Sequence, residues 1–247
     1  MVQGLMHNHH KALKYLQIAK KLSEKVLGSH HPRIANLLLQ MGAINEHQGR
    51  VDDSLTNYEE GKTILCQSGV KRYPDLATIL CNIGDIQRER GLVDKATTNY
   101  EQSLHIHENL CALNLDSSRV YMGLGFCCRS KEMHSAAIKY FVQAKCIREK
   151  QFHHTYLDLA ETYYQLGMAY YDNGSYDESI EYLERTRHIC EKEKGREYCE
   201  ESNNTMLAQV YETICFAYES KGNYEHSQKY FRLYKNVLDS PQKNVTD

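Results

Sequence analysis

Apolar residues recur at spacings of three and four along most of the chain, which predicts helices that each bury one stripe. The stretch after residue 74 shows the pattern clearly. Leu76, Ile79, Leu80, Ile83 and Ile86 make one stripe, Gly91 interrupts it, and Val93, Ala96, Tyr100, Leu104, Ile106 and Leu110 make a second. Glycine takes positive φ at no steric cost, so Gly91 ends the first helix and turns the chain back. The expected element is a pair of helices packed stripe against stripe.

The pair repeats. An apolar residue followed by a small one stands at Met41-Gly42, Ile83-Gly84, Leu124-Gly125, Leu166-Gly167 and Ile214-Cys215. Seven residues beyond the small residue is a turn position: Gly49, Gly91, Glu132, Gly174, Gly222. Twelve beyond is another small residue: Ser54, Ala96, Ala137, Ser179, Ser227. Sixteen beyond is a large one: Tyr58, Tyr100, Phe141, Leu183, Phe231. The first four units are spaced by 42, 41 and 42 residues; the last step is 48, its excess placed in the charged connection Lys192–Asn204. Small residues let two helices approach, and the large one fills the gap to the next unit. A lone pair cannot bury its stripe, so neighbours must stack, and this repetition fixes the architecture before any other feature. It also favours a binding scaffold over an enzyme.

The boundaries read as 1–32 for a partial repeat or cap, five full repeats within 33–239 (about 33–70, 74–113, 116–152, 156–195 and 203–239), and a disordered polar tail at 240–247. Ala12, Leu16 and Ala19 occupy second-helix positions, so the chain opens on half a unit, as a cap, a fragment or a short isoform would.

These marks resemble the tetratricopeptide repeat. Leu166-Gly167 with Tyr170, followed by Gly174-Ser175-Tyr176, matches the family's pattern of Leu-Gly, Tyr, Ala, aromatic and Ala best. The family period is about 34 residues; roughly eight more per unit add on the order of 12 Å, shared between two helices. The longer unit is similar to the kinesin-light-chain-like branch of the family. Glu24-Lys25-Val26-Leu27-Gly28, His31-Pro32 and Ala35 carry that likeness, and Tyr73-Pro74 with Ala77 repeats it more weakly. The resemblance implies an all-α fold: a right-handed α-solenoid of helix–turn–helix units whose first helices line a concave groove. Related proteins hold extended peptides or short helices there.

In that groove the resemblance places Asn82, Arg88, Arg119, Met122, Phe126, Arg129, Tyr164, Met168 and Phe216. Chaperone-binding members carry a Lys and Asn clamp at positions that here hold Leu39 and Ala43, Cys81 and Asp85, Met122 and Phe126, so a chaperone-tail receptor is not expected. Met122, Phe126, Tyr164, Met168 and Phe216 are costly to leave wet together, and Arg88, Arg119 and Arg129 supply positive charge. The expected partner is a protein or peptide segment with apolar or aromatic anchors and an acidic residue alongside. The competing expectation is that these residues pack against each other along curved helices. The function reads as a non-enzymatic protein–protein interaction scaffold or adaptor. The alternatives are a structural module that self-associates through its repeat ends, and a peptide-sensing regulator of a catalytic partner.

Composition changes this picture little. Of 247 residues 41% are hydrophobic and 25% charged, as in folded proteins generally. A net charge of −2 gives no footprint for nucleic acid or an anionic membrane. No apolar run reaches the roughly 18 residues that span a bilayer, and no signal-peptide pattern opens the chain, so the cytoplasm is the expected compartment. The nine cysteines are odd in number and scattered, and read as reduced structural thiols, with Cys128, Cys146 and Cys215 at core positions. His7, His9, His10, His30-His31 and His153-His154 do not converge on a metal, because neighbours in sequence point to different sides of a helix. No phosphate loop, nucleophile elbow or Ser-His-Asp set is present, so no catalytic residue, cofactor or metal is expected. Tyr58, Tyr100, Tyr170, Tyr176, Tyr218 and Tyr224 recur at packing positions and read as structural.

Overall fold

The computed structural model describes residues 2–68, 74–110, 114–150, 156–192 and 200–239, with side chains from residue 9 onward apart from those at 156 and 200–203. Tyr73, His153, His154, the 193–199 part of the charged connection and the 240–247 tail lie outside the described residues, as does the His7 side chain. The described residues form α-helices throughout: α1 (Val2–Leu27), α2 (Pro32–His47), α3 (Val51–Gln67), α4 (Pro74–Glu89), α5 (Val93–Asn109), α6 (Leu115–Ser130), α7 (His134–Lys150), α8 (Tyr156–Asp172), α9 (Tyr176–Lys192), α10 (Glu200–Ser220) and α11 (Tyr224–Leu238). Two compact units result, Met1–Cys127 and Cys128–Asp247, with the division inside α6.

Within the first unit α1 packs on α2, α2 on α3, α3 on α4 and α4 on α5. Within the second, α7 packs on α8, α8 on α9, α9 on α10 and α10 on α11. Each is a series of helices stacked in chain order, the all-α helical-repeat arrangement that the periodicity predicts.

The helix ends follow from local chemistry. Pro32 and Pro74 open α2 and α4, where a missing N–H costs nothing. Asn114 caps α6, its Oδ1 accepting from the Asp116 and Ser117 amides while the Ser117 hydroxyl accepts from the Asn114 amide. Five turns close in the same way. The residue with positive φ donates its amide three residues back, and the next residue donates five back, as Gly91 N–H to Arg88 O (2.9 Å) and Leu92 N–H to Gln87 O (2.8 Å) show. At the third turn the residue is Glu132, with φ +58°. Glu132 keeps the same hydrogen bonds, so the repeat's geometry overrides the residue's own preference.

Tyr58, Tyr100, Phe141 and Leu183 are fully buried. The small residues beside them are obligatory: a Cβ on Gly42 would lie 2.6 Å from Tyr58 Cδ1, and one on Gly167 would lie 2.7 Å from Leu183 Cγ. The fifth unit departs from the expected pattern, because Tyr230 is buried and Phe231 is exposed. Cys215 stands where the other units have glycine, and its sulfur lies 3.2 Å from Ser227 Oγ. The space that accepts a ring elsewhere is filled, so the preceding residue is buried in its place, and its hydroxyl donates to Glu184.

Other expectations need correcting. Part of the charged connection is helical: α10 begins at Glu200 and runs for 21 residues. Cys215 is buried, but Cys128 is only half-buried and Cys146 is exposed. The core stripe of α7 is Ala137, Phe141 and Ala144, and Cys146 lies two residues past its end, about 200° around the helix. On α6 the buried thiol is Cys127. Tyr224 is exposed because it opens α11 before the buried Ser227 and Tyr230.

Polar ties join successive repeats. Lys20 meets Glu60 at 2.7 Å, Lys62 donates to Asn99 at 3.2 Å and Arg90 meets Asp52 at 2.6 Å in the first unit. Lys145 donates to Tyr182 at 3.4 Å and Lys221 pairs with Asp177 in the second. These are exposed or half-exposed contacts, each contributing at most about 1 kcal/mol; register is their main product.

Candidate functional site

In the first unit, α4 and α6 carry the residues expected in a groove. Asn82 is buried, and its Oδ1 accepts from Arg119 Nη2 at 3.2 Å. The same Arg119 nitrogen donates to Asp85 Oδ2 at 2.7 Å, and Asp85 Oδ1 accepts from the Tyr100 hydroxyl at 2.6 Å. Arg119, Asp85, Asn82 and Tyr100 therefore form one network across α4, α5 and α6. Burial, reinforced by Asp85, holds the Tyr100 hydroxyl firmly protonated. Burial together with Asp85 also pushes the Cys81 thiol up to about 12, so this cysteine is an inert apolar filler.

Arg88 borders this network, with Tyr100 and Asp85 near its guanidinium, and on its other side meets Phe126. The Arg88 guanidinium lies 5.2 Å from the centroid of the half-buried Phe126 ring, within reach of a cation–π contact. Its nearest carboxylate is Glu89, adjacent in sequence, at 3.6 Å. Arg88 Nε is buried and has no hydrogen-bond partner among the described residues. Met122, in contrast, is only 5% exposed. It is a core residue of α6 and offers no anchor surface, which corrects its place in the expected apolar patch.

In the second unit, Arg129 donates from Nε to Asp172 Oδ2 and from Nη1 to Gln165 Oε1, both at 2.9 Å. Gln165 passes its amide on to Glu161 at 2.7 Å. Tyr164 is half-buried, and burial with Glu161 raises its hydroxyl above the ordinary tyrosine value. Met168, also half-buried, accepts from the Thr213 hydroxyl at 3.4 Å. Phe216, one helical turn beyond Thr213 on α10, is 47% exposed.

The nine expected residues thus sort by environment. Asn82 and Met122 are interior, Arg119 and Arg129 are satisfied by internal partners, and Arg88, Phe126, Tyr164, Met168 and Phe216 retain surface. The acceptors Asp85, Asp172 and Gln165 were legible as positions on the first helices, but not as partners: sequence spacings of 34, 43 and 36 residues identify no pair before the repeats are stacked. Among the described residues no group of three His, Cys, Asp or Glu side chains is placed to hold a metal ion, and no helix is long and apolar enough to cross a membrane.

No curated protein matches the chain in sequence. Solved structures do match it in fold. BtubC (BKLC) from P. vanneervenii superposes with a TM-score of 0.74 at 17% identity, covering 98% of this chain and 95% of that one. A putative kinesin light chain from Podosopora anserina, described as having nearly identical TPR-like repeats, gives 0.66 at 17% identity, covering 87% and 99%. YrrB, described as a TPR protein with an unusual peptide-binding site, gives 0.61 at 15% identity, covering 89% and 92%. The tetratricopeptide repeat profile matches residues 1–67 and 75–150, and a second profile of the same repeat matches 159–197. With more than half its length accounted for in this way, and with the stacked helix pairs, Schellman turns and glycine-seated rings described above, the chain belongs to the tetratricopeptide repeat family.

Proposed function

We propose that the chain is a non-enzymatic protein–protein interaction scaffold that holds a peptide segment of a partner on its first helices. The observation that carries this reading is the Arg88–Phe126 patch. It combines a half-buried aromatic ring with a guanidinium that has no carboxylate partner closer than the neighbouring Glu89 at 3.6 Å, although Tyr100 and Asp85 also lie near it. A ligand with an acidic residue beside an apolar or aromatic anchor can pair with the exposed side of the guanidinium and cover the exposed part of the ring. Arg119 and Arg129 are already neutralised by Asp85 and Asp172, so they position the helices and do not recruit the ligand. On the second unit Phe216, with Tyr164 and Met168, supplies further apolar surface for the same class of partner.

YrrB, a relative in fold alone, is described as having a peptide-binding site, which accords with this reading. The described cysteines, all free thiols, accord with a cytoplasmic setting.

The test is affinity capture with wild-type protein beside Phe126→Glu and Arg88→Glu, read by mass spectrometry, with fold checked by circular dichroism. A partner held by wild type and lost with both variants supports the patch as the working surface. Partners retained equally by all three proteins remove it.

A further inference from the structure

Helix α1 has a face that nothing in the described residues covers. It docks on α2 through the buried Leu13, with Ala12, Leu16 and Ala19 half-buried behind it. Lys20 on that side is held by Glu60 at 2.7 Å and Glu24 at 3.5 Å. The outward side carries Tyr15, Ile18, Leu22 and Val26, exposed by 70, 46, 57 and 79%. Their spacings of three, four and four residues align them in one stripe about 16 Å long.

The charge beside the stripe has one sign. Lys14, Lys21 and Lys25, two turns and then one turn apart, lie along one edge, and Lys11 stands at the N-terminal end. All four are exposed, and none has an ion-pair partner among the described residues. The single acid of α1 is Glu24, which faces Lys20 on the docked side.

We infer that this face binds an acidic amphipathic helix of a partner protein, with apolar residues at i, i+3 or i+4 and i+7 and a row of Glu or Asp along one flank. Such a helix would stand to α1 as α2 stands to α3. Its apolar stripe would cover Tyr15, Ile18, Leu22 and Val26, and its acidic row would lie against Lys14, Lys21 and Lys25, in the manner of flanking charges beside a coiled-coil seam.

Charge argues against a second copy of this chain as the occupant. A second α1 offers no acidic row to these lysines, since its one acid, Glu24, is held by Lys20 on the docked side. On α11 the exposed Phe231 lies among Lys229, Arg232 and Lys235, so α1 against that face also brings like charges together. A lipid surface is the weaker fit as well. The stripe is a single narrow row, whereas helices lying in a membrane interface present a broad apolar face rich in Trp, Phe and Leu, and this chain has no tryptophan.

The probe is a labelled 18-residue synthetic helix with Leu at the seam positions and Glu along one flank, titrated with the 247-residue chain and followed by fluorescence anisotropy. The acidic helix is expected to bind. Replacing its Glu row by Lys is expected to weaken binding at least about tenfold, as is Leu22→Glu in the protein. The triple variant Lys14→Glu, Lys21→Glu, Lys25→Glu should reverse the preference in favour of the Lys-flanked helix. All four substituted side chains are exposed, and circular dichroism confirms that the variants fold. Absence of binding, equal binding of the two helices, or a wild-type preference that survives the triple reversal overturns the proposal. So does binding of phosphatidylserine vesicles in place of the acidic helix, or a dimer in light scattering that Leu22→Glu dissolves.

Discussion

Gly123→Ala is the most informative single perturbation of this fold. Gly123 lies inside α6, where alanine is ordinarily the better helix former by about 1 kcal/mol. A Cβ there would lie 2.5 Å from Tyr100 Cε1 and 2.8 Å from Cε2. Ordinary contact begins near 3.4 Å, so ring and helix must part by about 0.9 Å. The ring has nowhere to go. It is fully buried, it also packs against Gly84, where a Cβ would lie 2.8 Å from Cε1 and 3.0 Å from Cδ1, and its hydroxyl is bound to Asp85 at 2.6 Å. Overpacking of this kind costs about 1–3 kcal/mol, and displacing the hydroxyl weakens a charge-assisted hydrogen bond that contributes a further ~1.5 kcal/mol or more. Against the propensity gain, the net expectation is destabilisation of about 1–3 kcal/mol.

Urea unfolding followed by circular dichroism measures this, and a double-mutant cycle assigns the cause. Tyr100→Val ends at Cγ, short of the atoms that a new Cβ would meet. In that background Gly123→Ala should be close to neutral or stabilising by up to about 1 kcal/mol, since only the propensity gain remains. If Gly123→Ala costs the same within about 0.5 kcal/mol in both backgrounds, the ring is not what requires the glycine, and the packing argument fails.

Three further outcomes are expected. Glu132→Gly relieves a non-glycine φ of +58° and should raise stability by about 1 kcal/mol, read as a higher urea midpoint; an unchanged or lower midpoint would count against strain at that turn. His107 is buried with its Nε2 lacking a partner, and burial lowers its pKa from 6.5 although Asp116 opposes the shift. The unfolded chain therefore takes up the proton first as pH falls below 6.5, so wild-type stability should drop on the acid side while His107→Leu loses less between pH 7 and 5, and parallel melting curves would refute this. Cys215→Gly restores the residue found in the other units, yet it should destabilise by about 1–2 kcal/mol, because it empties the space the sulfur fills beside Ser227 and places glycine inside α10; a neutral result would mean that Tyr230 is buried for another reason.

The repeat was legible because each mark reflects a steric demand that acts within one helix pair. A residue seven positions beyond the small one must take positive φ, and a large side chain sixteen beyond must meet a backbone without Cβ. Those demands are visible in a single sequence as Gly and Tyr at fixed offsets. The fifth unit was misread at Phe231 for the same reason: with Cys215 at the glycine position the offset no longer applies, and no rule of spacing says which neighbouring aromatic turns inward. The surface residues were harder to read. Met122 and Phe126 are four positions apart on α6 and equally apolar, yet one is buried and the other is half-exposed beneath Arg88. Which of two neighbours on a helix face is covered depends on the adjacent repeat, information that is absent from the helix itself.

The arginines make the same point about function. Arg88, Arg119 and Arg129 are alike in chemistry, and all three lie on first helices, Arg88 and Arg129 in the last turn and Arg119 near the start of α6. Stacking separates them. Arg119 and Arg129 each find a carboxylate and an amide one repeat away, and a charge held in that way is expensive to redirect toward a ligand, since leaving Asp85 or Asp172 unpaired offsets much of what a new ion pair would contribute. Arg88 is committed more loosely: its paired carboxylate is the adjacent Glu89 at 3.6 Å, with Tyr100 and Asp85 of its own repeat close by. The stacking interaction that builds the array therefore also decides where the array can bind: polar groups in register with the next repeat are consumed by the joint, and recognition falls to those just out of register. On α1, the lysines that lie away from α2 are out of register with every described repeat, and by the same logic they mark a second place where a partner can be held.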